Sequence, residues 1–138
     1  MRTLAILPSL LLAGLALATP SRASAQAVPP GVKPTPVQGD PGIFTMWRML
    51  EDSSYSVARD YAEPGATRRM HNHPEFSYHV LVVVTGNLRL TVKGGAPKEL
   101  GAGEVVTIPA GAEHTFTNVG KETATIVEVF GKGATPPK

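Results

Sequence analysis

The chain has 138 residues, which is enough for one domain and leaves little room for a second. It contains no cysteine, so disulfides, thiolate metal ligands and a cysteine-linked lipid anchor are all excluded. Its formal net charge is only +2, from 13 basic and 11 acidic residues without a basic cluster, so nothing favours a nucleic-acid partner.

Residues 1–25 are predicted to be a secretory signal peptide. Arg2 precedes an apolar stretch from Leu4 to Leu17, and small residues follow, with cleavage expected after Ala25 or Ala27. An uncleaved membrane anchor is the alternative, but the apolar stretch is short and contains a proline. We therefore expect a periplasmic or secreted protein that makes no stable membrane insertion after cleavage.

Residues 26–42 are predicted to be a proline-rich arm or linker, because proline lacks an amide donor and excludes regular helix or central strand. Residues 131–138 have a similar composition and are predicted to be a flexible tail.

Residues 43–130 are predicted to form an all-β barrel, because short strands alternate with turn signals and no segment shows helical periodicity. Gly65, Gly86, Gly103 and Gly111 are expected at turns with unusual backbone angles. The predicted strands are Ile43–Leu50, Tyr55–Tyr61, Thr67–His71, Tyr78–Thr85, Leu88–Lys93, Val105–Ile108, His114–Asn118 and Thr123–Phe130.

The segment Val80–Val84 is apolar at every position, so both of its faces should be covered. A second sheet can cover one face, and another subunit can cover the other. A homodimer is therefore the expected oligomeric state.

The four histidines of the chain are the candidate metal ligands. His71 and His73 are two residues apart and can present their rings to the same side of a strand. His79 opens the next strand, which a hairpin would bring back beside the first, and His114 begins a strand after a turn. Isolated strand histidines are usually hydrogen-bonded or exposed, but here every histidine falls on a position that can converge with the others.

Two motifs resemble those of the cupin family. Gly65-x5-His71-x-His73, with Gly86 further along, is similar to the first motif. The segment Gly103–Asn118 matches the second motif, G-x5-P-x-G-x2-H-x3-N, at every defined position. The resemblance implies a double-stranded β-helix, or jelly-roll-like, barrel that holds a metal through three histidines and a glutamate.

Carried onto this sequence, the resemblance implies that His71, His73 and His114 take the histidine positions, while His79 stands where the family has glutamate. A ligand set of four imidazoles would be neutral and would favour Fe, Cu, Mn, Zn or Ni over magnesium or calcium. Glu75 is an alternative oxygen ligand, although Pro74 and the turn should direct it outward.

Two residues are candidates for a substrate pocket. Arg69 shares strand parity with His71 and could hold a carboxylate, whereas Arg68 should point the other way. The equal alternative is that Arg69 is an ordinary exposed strand arginine. Phe116 lies two residues beyond His114 and is expected to line the barrel interior.

The leading hypothesis is a metal-dependent dioxygenase or other oxidoreductase that acts on a small chelating substrate, a reaction type that rests on the resemblance alone. A non-catalytic module that binds metal or a small ligand is the alternative, because four imidazoles could close a zinc site. A metal-independent isomerase or sugar-binding protein is a third hypothesis, and the full set of histidines disfavours it.

Overall fold

A computed structural model describes residues 31–133 of the protein. This part of the chain contains only strands and loops. No helix in it is long and apolar enough to cross a membrane. The strands are β1 (Thr35–Pro36), β2 (Ile43–Glu51), β3 (Tyr55–Ala62), β4 (Thr67–His71), β5 (Tyr78–Thr85), β6 (Asn87–Val92), β7 (Lys98–Gly101), β8 (Val105–Ile108), β9 (His114–Asn118) and β10 (Ala124–Gly131).

The strands form two antiparallel sheets. The larger sheet has the order β1-β2-β3-β10-β5-β8, and the smaller has the order β4-β9-β6-β7. Consecutive strands such as β4 and β5 therefore lie in different sheets, whereas β5 pairs with the distant β10. This jelly-roll barrel is the all-β fold that the sequence predicts.

Alternating side chains build the core between the two sheets. On β5, His79, Leu81 and Val83 are buried, and on β6, Leu88 and Leu90 are buried. Burying each such aliphatic side chain contributes about 1.5–3 kcal/mol to folding. The core cluster comprises Ile43, Ala62, Ala66, Leu81, Val83, Leu88, Leu90, Leu100, Ile108, Phe116, Ala124 and Ile126.

Glycines with positive φ make the turns that connect the sheets. The four predicted turn glycines all have φ between 65° and 87°, which confirms the expectation for them. At Gly86, between β5 and β6, a Cβ would also lie 2.8 Å from the Cβ of Ala124. The close approach of β10 and the backbone angle both require glycine there.

Two strands were not expected from the sequence. β1 lies inside the predicted proline-rich arm and pairs with β2 at the edge of the larger sheet, a position that is compatible with the exclusion of regular helix and central strand. Proline is tolerated there because an edge strand need not donate on both sides. β7 has a single core residue, Leu100, too weak a pattern to detect.

The predicted signal peptide and residues 134–138 of the predicted tail lie outside the described residues. Gly131 ends β10, so the sheet extends one residue into the predicted tail.

The outer face of β5 is only partly covered within one chain. Val80 and Val82 are half-buried, whereas Val84 is 45% exposed. On the neighbouring edge strand β8, Val105 is 60% exposed. The expectation that β5 is covered on both faces therefore does not hold within one chain, and the homodimer stays a prediction.

A buried acid ties the segment before β2 to β4. The side chain of Asp40 is fully buried and contacts Arg68 Nη1, while its Oδ1 lies 2.5 Å from Arg69 Nε. Burial alone would raise the pKa of Asp40, but hydrogen bonds from both arginines outweigh burial and hold that pKa below its usual range.

Replacing this acid by Asp40→Asn should lower the free energy of unfolding by about 2–3 kcal/mol, because two arginines lose a charged acceptor. Urea unfolding at pH 7 measures the change. Asp52→Asn, at an exposed loop acid, serves as the control and should cost less. Equal losses of unfolding free energy in the two variants would show that Asp40 does not hold the segment before β2 against β4.

Candidate metal centre

Two sheets and one loop bring the histidines to one end of the barrel. His71 ends β4 and is the direct cross-strand partner of His114, which begins β9 in the smaller sheet. His79 is the second residue of β5 in the larger sheet, and His73 lies in the loop between β4 and β5. The predicted hairpin between β4 and β5 is instead a crossover from one sheet to the other.

The four imidazole rings lie close together. The ring centroids of His71 and His114 are 4.3 Å apart, and those of His71 and His73 are 4.9 Å apart. His79 lies 5.0 Å from His114 and 5.4 Å from His73, again between centroids. The structure therefore brings together all four histidines that the sequence singled out.

The most compact group of donor atoms differs from the predicted set in one member. Donor atoms of His73, His79, His114 and Glu128 all lie within 4.8 Å of one another. His71 is beside this group but not in it, and its Nδ1 is 2.8 Å from the carbonyl oxygen of Arg69. A carboxylate from β10 thus stands where the sequence analysis placed only imidazoles.

Several donor atoms in this group lack a hydrogen-bond partner among residues 31–133. They are His73 Nε2, both ring nitrogens of His79, His114 Nε2 and Glu128 Oε2. Leaving a buried polar atom unpartnered costs about 1–3 kcal/mol, so such atoms rarely converge without a ligand. Three imidazoles and a carboxylate suit a divalent transition metal, so the residues fit that ion.

Two buried carboxyl groups lie against the histidines. Asp60 on β3 hydrogen-bonds Glu128 and Thr45. Burial and the negative charge of Glu128 raise the pKa of Asp60 well above its usual range, and burial also raises the pKa of Glu128. Asp60 and Glu128 therefore form an acidic wall beside the histidines, on the side of the larger sheet.

A cavity of about 160 Å³ opens beside the donor group. Its polar lining includes Asp60, Arg68 and Glu128, together with His71 and His73. Since one water occupies roughly 30 Å³, the cavity can hold a small organic molecule.

Trp47 forms an aromatic wall of this cavity. A backbone irregularity on β2 places Arg48 at φ 56° and shifts the pairing with β3 between Met46 and Leu50. Such bulges re-aim neighbouring side chains. The Trp47 ring stacks on His73 at 6.1 Å and packs on Phe130 at 5.1 Å, between centroids.

Comparison with known proteins identifies the family. A family model described as the cupin domain matches residues 61–130, which is half of the chain. The chain belongs to the cupin family. This cupin is 37% identical over 75 residues to mannose-1-phosphate guanylyltransferase ManC from Salmonella typhimurium, a match that covers 54% of the chain but only 15% of that enzyme.

Solved cupin structures share the fold. An oxalate oxidase is 32% identical, with a TM-score of 0.53, over 56% of this chain and 42% of its own. The polyketide cyclase RemF from Streptomyces resistomycificus is 22% identical, with a TM-score of 0.63, over 77% of this chain and 78% of its own. The Cnp3 cupin domain from Schizosaccharomyces pombe is 15% identical, with a TM-score of 0.64, over 75% of this chain and 71% of its own. The last two likenesses concern the fold alone.

The two arginines of β4 have the opposite orientation to the one predicted. Arg68 lines the cavity, whereas the side chain of Arg69 is 66% exposed and binds Asp40 and the carbonyl oxygen of Gln38. The pairing between β4 and β9 is irregular between Arg68 and His71. Strand parity therefore cannot be counted back from His71, and the prediction that Arg69 faces the pocket is wrong.

Phe116 and Glu75 are not cavity residues in this cupin. Phe116 is 1% exposed and belongs to the core cluster, where it packs between the sheets rather than against the cavity. Glu75 is exposed in the loop before β5, as expected, and is absent from the compact donor group.

The sequence analysis did not single out Asp60, Glu128 or Arg68 as members of the site. A signal for Glu128 was present, because it shares strand parity with the apolar Ile126 and Phe130. An acid on the buried face of a strand needs a partner, and that pattern marks it as a candidate.

All four histidines are held neutral in the metal-free protein. Burial lowers the pKa of His71 to about 3 and the pKa of His73 and His79 to about 4, and it also lowers the pKa of His114. Neutral imidazole is the form that ligates metals, so the histidines can bind an ion without releasing protons.

These pKa values also affect folding stability. Unfolded histidines take up protons near pH 6.5, whereas folded His71, His73 and His79 do so only near pH 4 or below. The stability that neutral histidines contribute is complete above pH 6.5 and is lost as the pH falls toward 4. The raised pKa values of Asp60 and Glu128 act in the opposite direction, so stability alone does not isolate the histidines.

Proton NMR of the imidazoles isolates them, because the chain has only 4 histidines and all lie in the site. In metal-free protein, we expect the ring signals of His71, His73 and His79 to keep their neutral shifts at pH 5.5. In urea-unfolded chain they should titrate near pH 6.5. Folded-state midpoints close to 6.5 would mean that the rings are solvated and not gathered as described.

Proposed function

We propose that this chain is a small exported cupin that binds one divalent transition metal and acts as an oxidoreductase, in particular a dioxygenase, on a small chelating substrate. The observation that carries the proposal is the convergence of unpartnered buried donors beside a cavity of about 160 Å³. When bound, a redox metal would supply a centre at which substrate and dioxygen can meet.

The residues around the cavity support binding of a compact polar molecule. Arg68 offers a guanidinium with a partly exposed side chain, which suits a carboxylate or enolate oxygen. Trp47 and Phe130 form an apolar wall that would orient the substrate and exclude water. The 32% identity to an oxalate oxidase, whose name denotes oxidation of a small dicarboxylate, agrees with this class of substrate.

A non-catalytic metal-binding module is the second candidate. His73, His79, His114 and Glu128 provide four donors, the number that closes a tetrahedral zinc site. A closed site would leave no position for substrate. The cavity beside the donors favours the enzyme, because a purely structural ion does not need adjoining space.

Metal binding is tested with His73→Ala and His114→Ala. Each variant removes one converging donor and should lower metal affinity more than about 100-fold. Titration calorimetry with Zn²⁺ and Mn²⁺ measures the affinity. Thr107→Ala, on the edge strand β8 away from the site, is the control and should bind like the parent protein. Full occupancy in both histidine variants would refute the assignment.

Turnover is tested by oxygen uptake. Protein loaded with Fe²⁺, Mn²⁺ or Cu²⁺ is mixed with small dicarboxylates, diketones, flavonoids and thiols, with the His114→Ala variant as blank. Uptake that depends on both substrate and His114 supports the enzyme. Tight Zn²⁺ binding, with no oxygen uptake for any combination of metal and substrate, would favour the non-catalytic metal-binding module.

Export is proposed from the sequence of residues 1–27. The intact mass of protein recovered from the periplasm or medium should correspond to a chain that begins at Gln26 or Val28. A full-length chain that stays in the cytoplasm would contradict export and leave the metal proposal intact.

A further inference from the structure

We propose that Glu128 is a direct metal ligand, supplied by β10 in place of the carboxylate that the first motif lacks at position 79. The inference rests on the proposed function, because it requires that the site binds a metal. It changes the expected ligand set from four neutral imidazoles to imidazoles plus one anionic oxygen.

The fold directs Glu128 at the histidines. β10 lies between β3 and β5 in the larger sheet, and Glu128 pairs with Ala58 on one side and Leu81 on the other. Its carboxyl side chain is only 4% exposed and points to the inner face. His79 is two residues before Leu81 on the same face of β5, so it is the diagonal neighbour of Glu128.

The contact between Glu128 and His79 does not have the geometry of a hydrogen bond. Glu128 Oε2 lies 2.5 Å from His79 Nε2, yet both atoms count as unpartnered because the contact angles are unsuitable. A carboxylate that merely oriented the imidazole would accept its N–H along the bond. Both atoms are therefore left without a hydrogen-bond partner in the described part of the chain and are free to bind a ligand.

The size of the donor group also suits one ion. Metal–nitrogen and metal–oxygen bonds are about 2.0–2.2 Å, so two donors of one ion are at most about 4.4 Å apart. All pairs among His73, His79, His114 and Glu128 lie within 4.8 Å. Side-chain shifts of about half an ångström, which close the widest pair and separate Glu128 from His79, would place the donors at bonding distance.

Charge gives an independent reason for the assignment. Glu128 is 3% exposed, and its Oε2 receives no hydrogen bond within residues 31–133. The one arginine at the cavity, Arg68, already contacts Asp40. A divalent cation at the donor group would add positive charge directly beside the carboxylate oxygen.

The ligand set would join the two sheets. His114 belongs to the smaller sheet, whereas His79 and Glu128 belong to the larger. A bound ion would therefore cross-link the sheets and raise the unfolding temperature, because it binds only the folded state.

The experiment compares Glu128→Gln with Asp60→Asn. Both variants replace a buried carboxyl group in the same wall by an amide, but only Glu128 belongs to the donor group. Titration calorimetry with Mn²⁺ and Zn²⁺ should show a loss of affinity of more than about 100-fold for Glu128→Gln, and about tenfold or less for Asp60→Asn. Equal losses of metal affinity in both variants would show that Glu128 contributes as part of the acidic wall and not as a ligand.

Thermal unfolding provides the second measurement. Without metal, Glu128→Gln should unfold at the same temperature as the parent protein or higher, since a buried charge is removed. With metal, it should lose most of the parent's metal-induced shift. A lower unfolding temperature without metal, together with an unchanged shift, would identify Glu128 as a structural residue instead.

Two further outcomes keep the inference separate from the proposed function. If the parent protein binds neither ion, the proposed metal site itself fails. If the parent binds and Glu128→Gln binds equally well, only the present inference fails. If Glu128→Gln does not fold, Glu128→Asp is the substitute, because it keeps the negative charge on a shorter side chain. We then expect the metal affinity to fall by at least about tenfold. Unchanged affinity in Glu128→Asp would overturn the inference.

Discussion

Burying polar atoms without partners is costly, and this constraint governs the end of the barrel where β4, β5, β9 and β10 meet. Imidazole nitrogens of His73, His79 and His114 face one another there with no hydrogen-bond partner in the described part of the chain. Such atoms favour a compensating ligand, and a divalent cation can accept one nitrogen from each of the three rings. The function that we propose for the cavity and its acidic wall depends on that ion being bound beside them.

The site departs from the family pattern at one ligand position. Where the first cupin motif has a glutamate, this chain has His79, and the structure brings the Glu128 carboxylate from another strand within 4.8 Å of the histidine donor atoms. The double-stranded barrel permits this exchange, because inward-facing positions of β5 and β10 are neighbours although they are distant in the chain. The barrel also moves Arg68, rather than Arg69, to the cavity.

Much of this site could be predicted from the sequence. The spacing of His71, His73 and His79 and the motif around His114 were sufficient to predict that the rings converge, since local strand periodicity and family resemblance agree. What could not be predicted depends on irregular pairing. The register shift between Arg68 and His71 reverses the predicted orientations of Arg68 and Arg69. The irregularity at Arg48 accompanies the placement of Trp47 against the cavity. The acids were missed because pairing between β3 and β10 is long-range.

The most direct test of the account is the anomalous diffraction of crystals of the Zn²⁺-loaded protein, recorded at the zinc edge. The account predicts a single peak within about 2.3 Å of ring nitrogens of His73, His79 and His114 and of an oxygen of Glu128. A peak elsewhere on the molecule, or rings that turn away from one another around an empty centre, would contradict it.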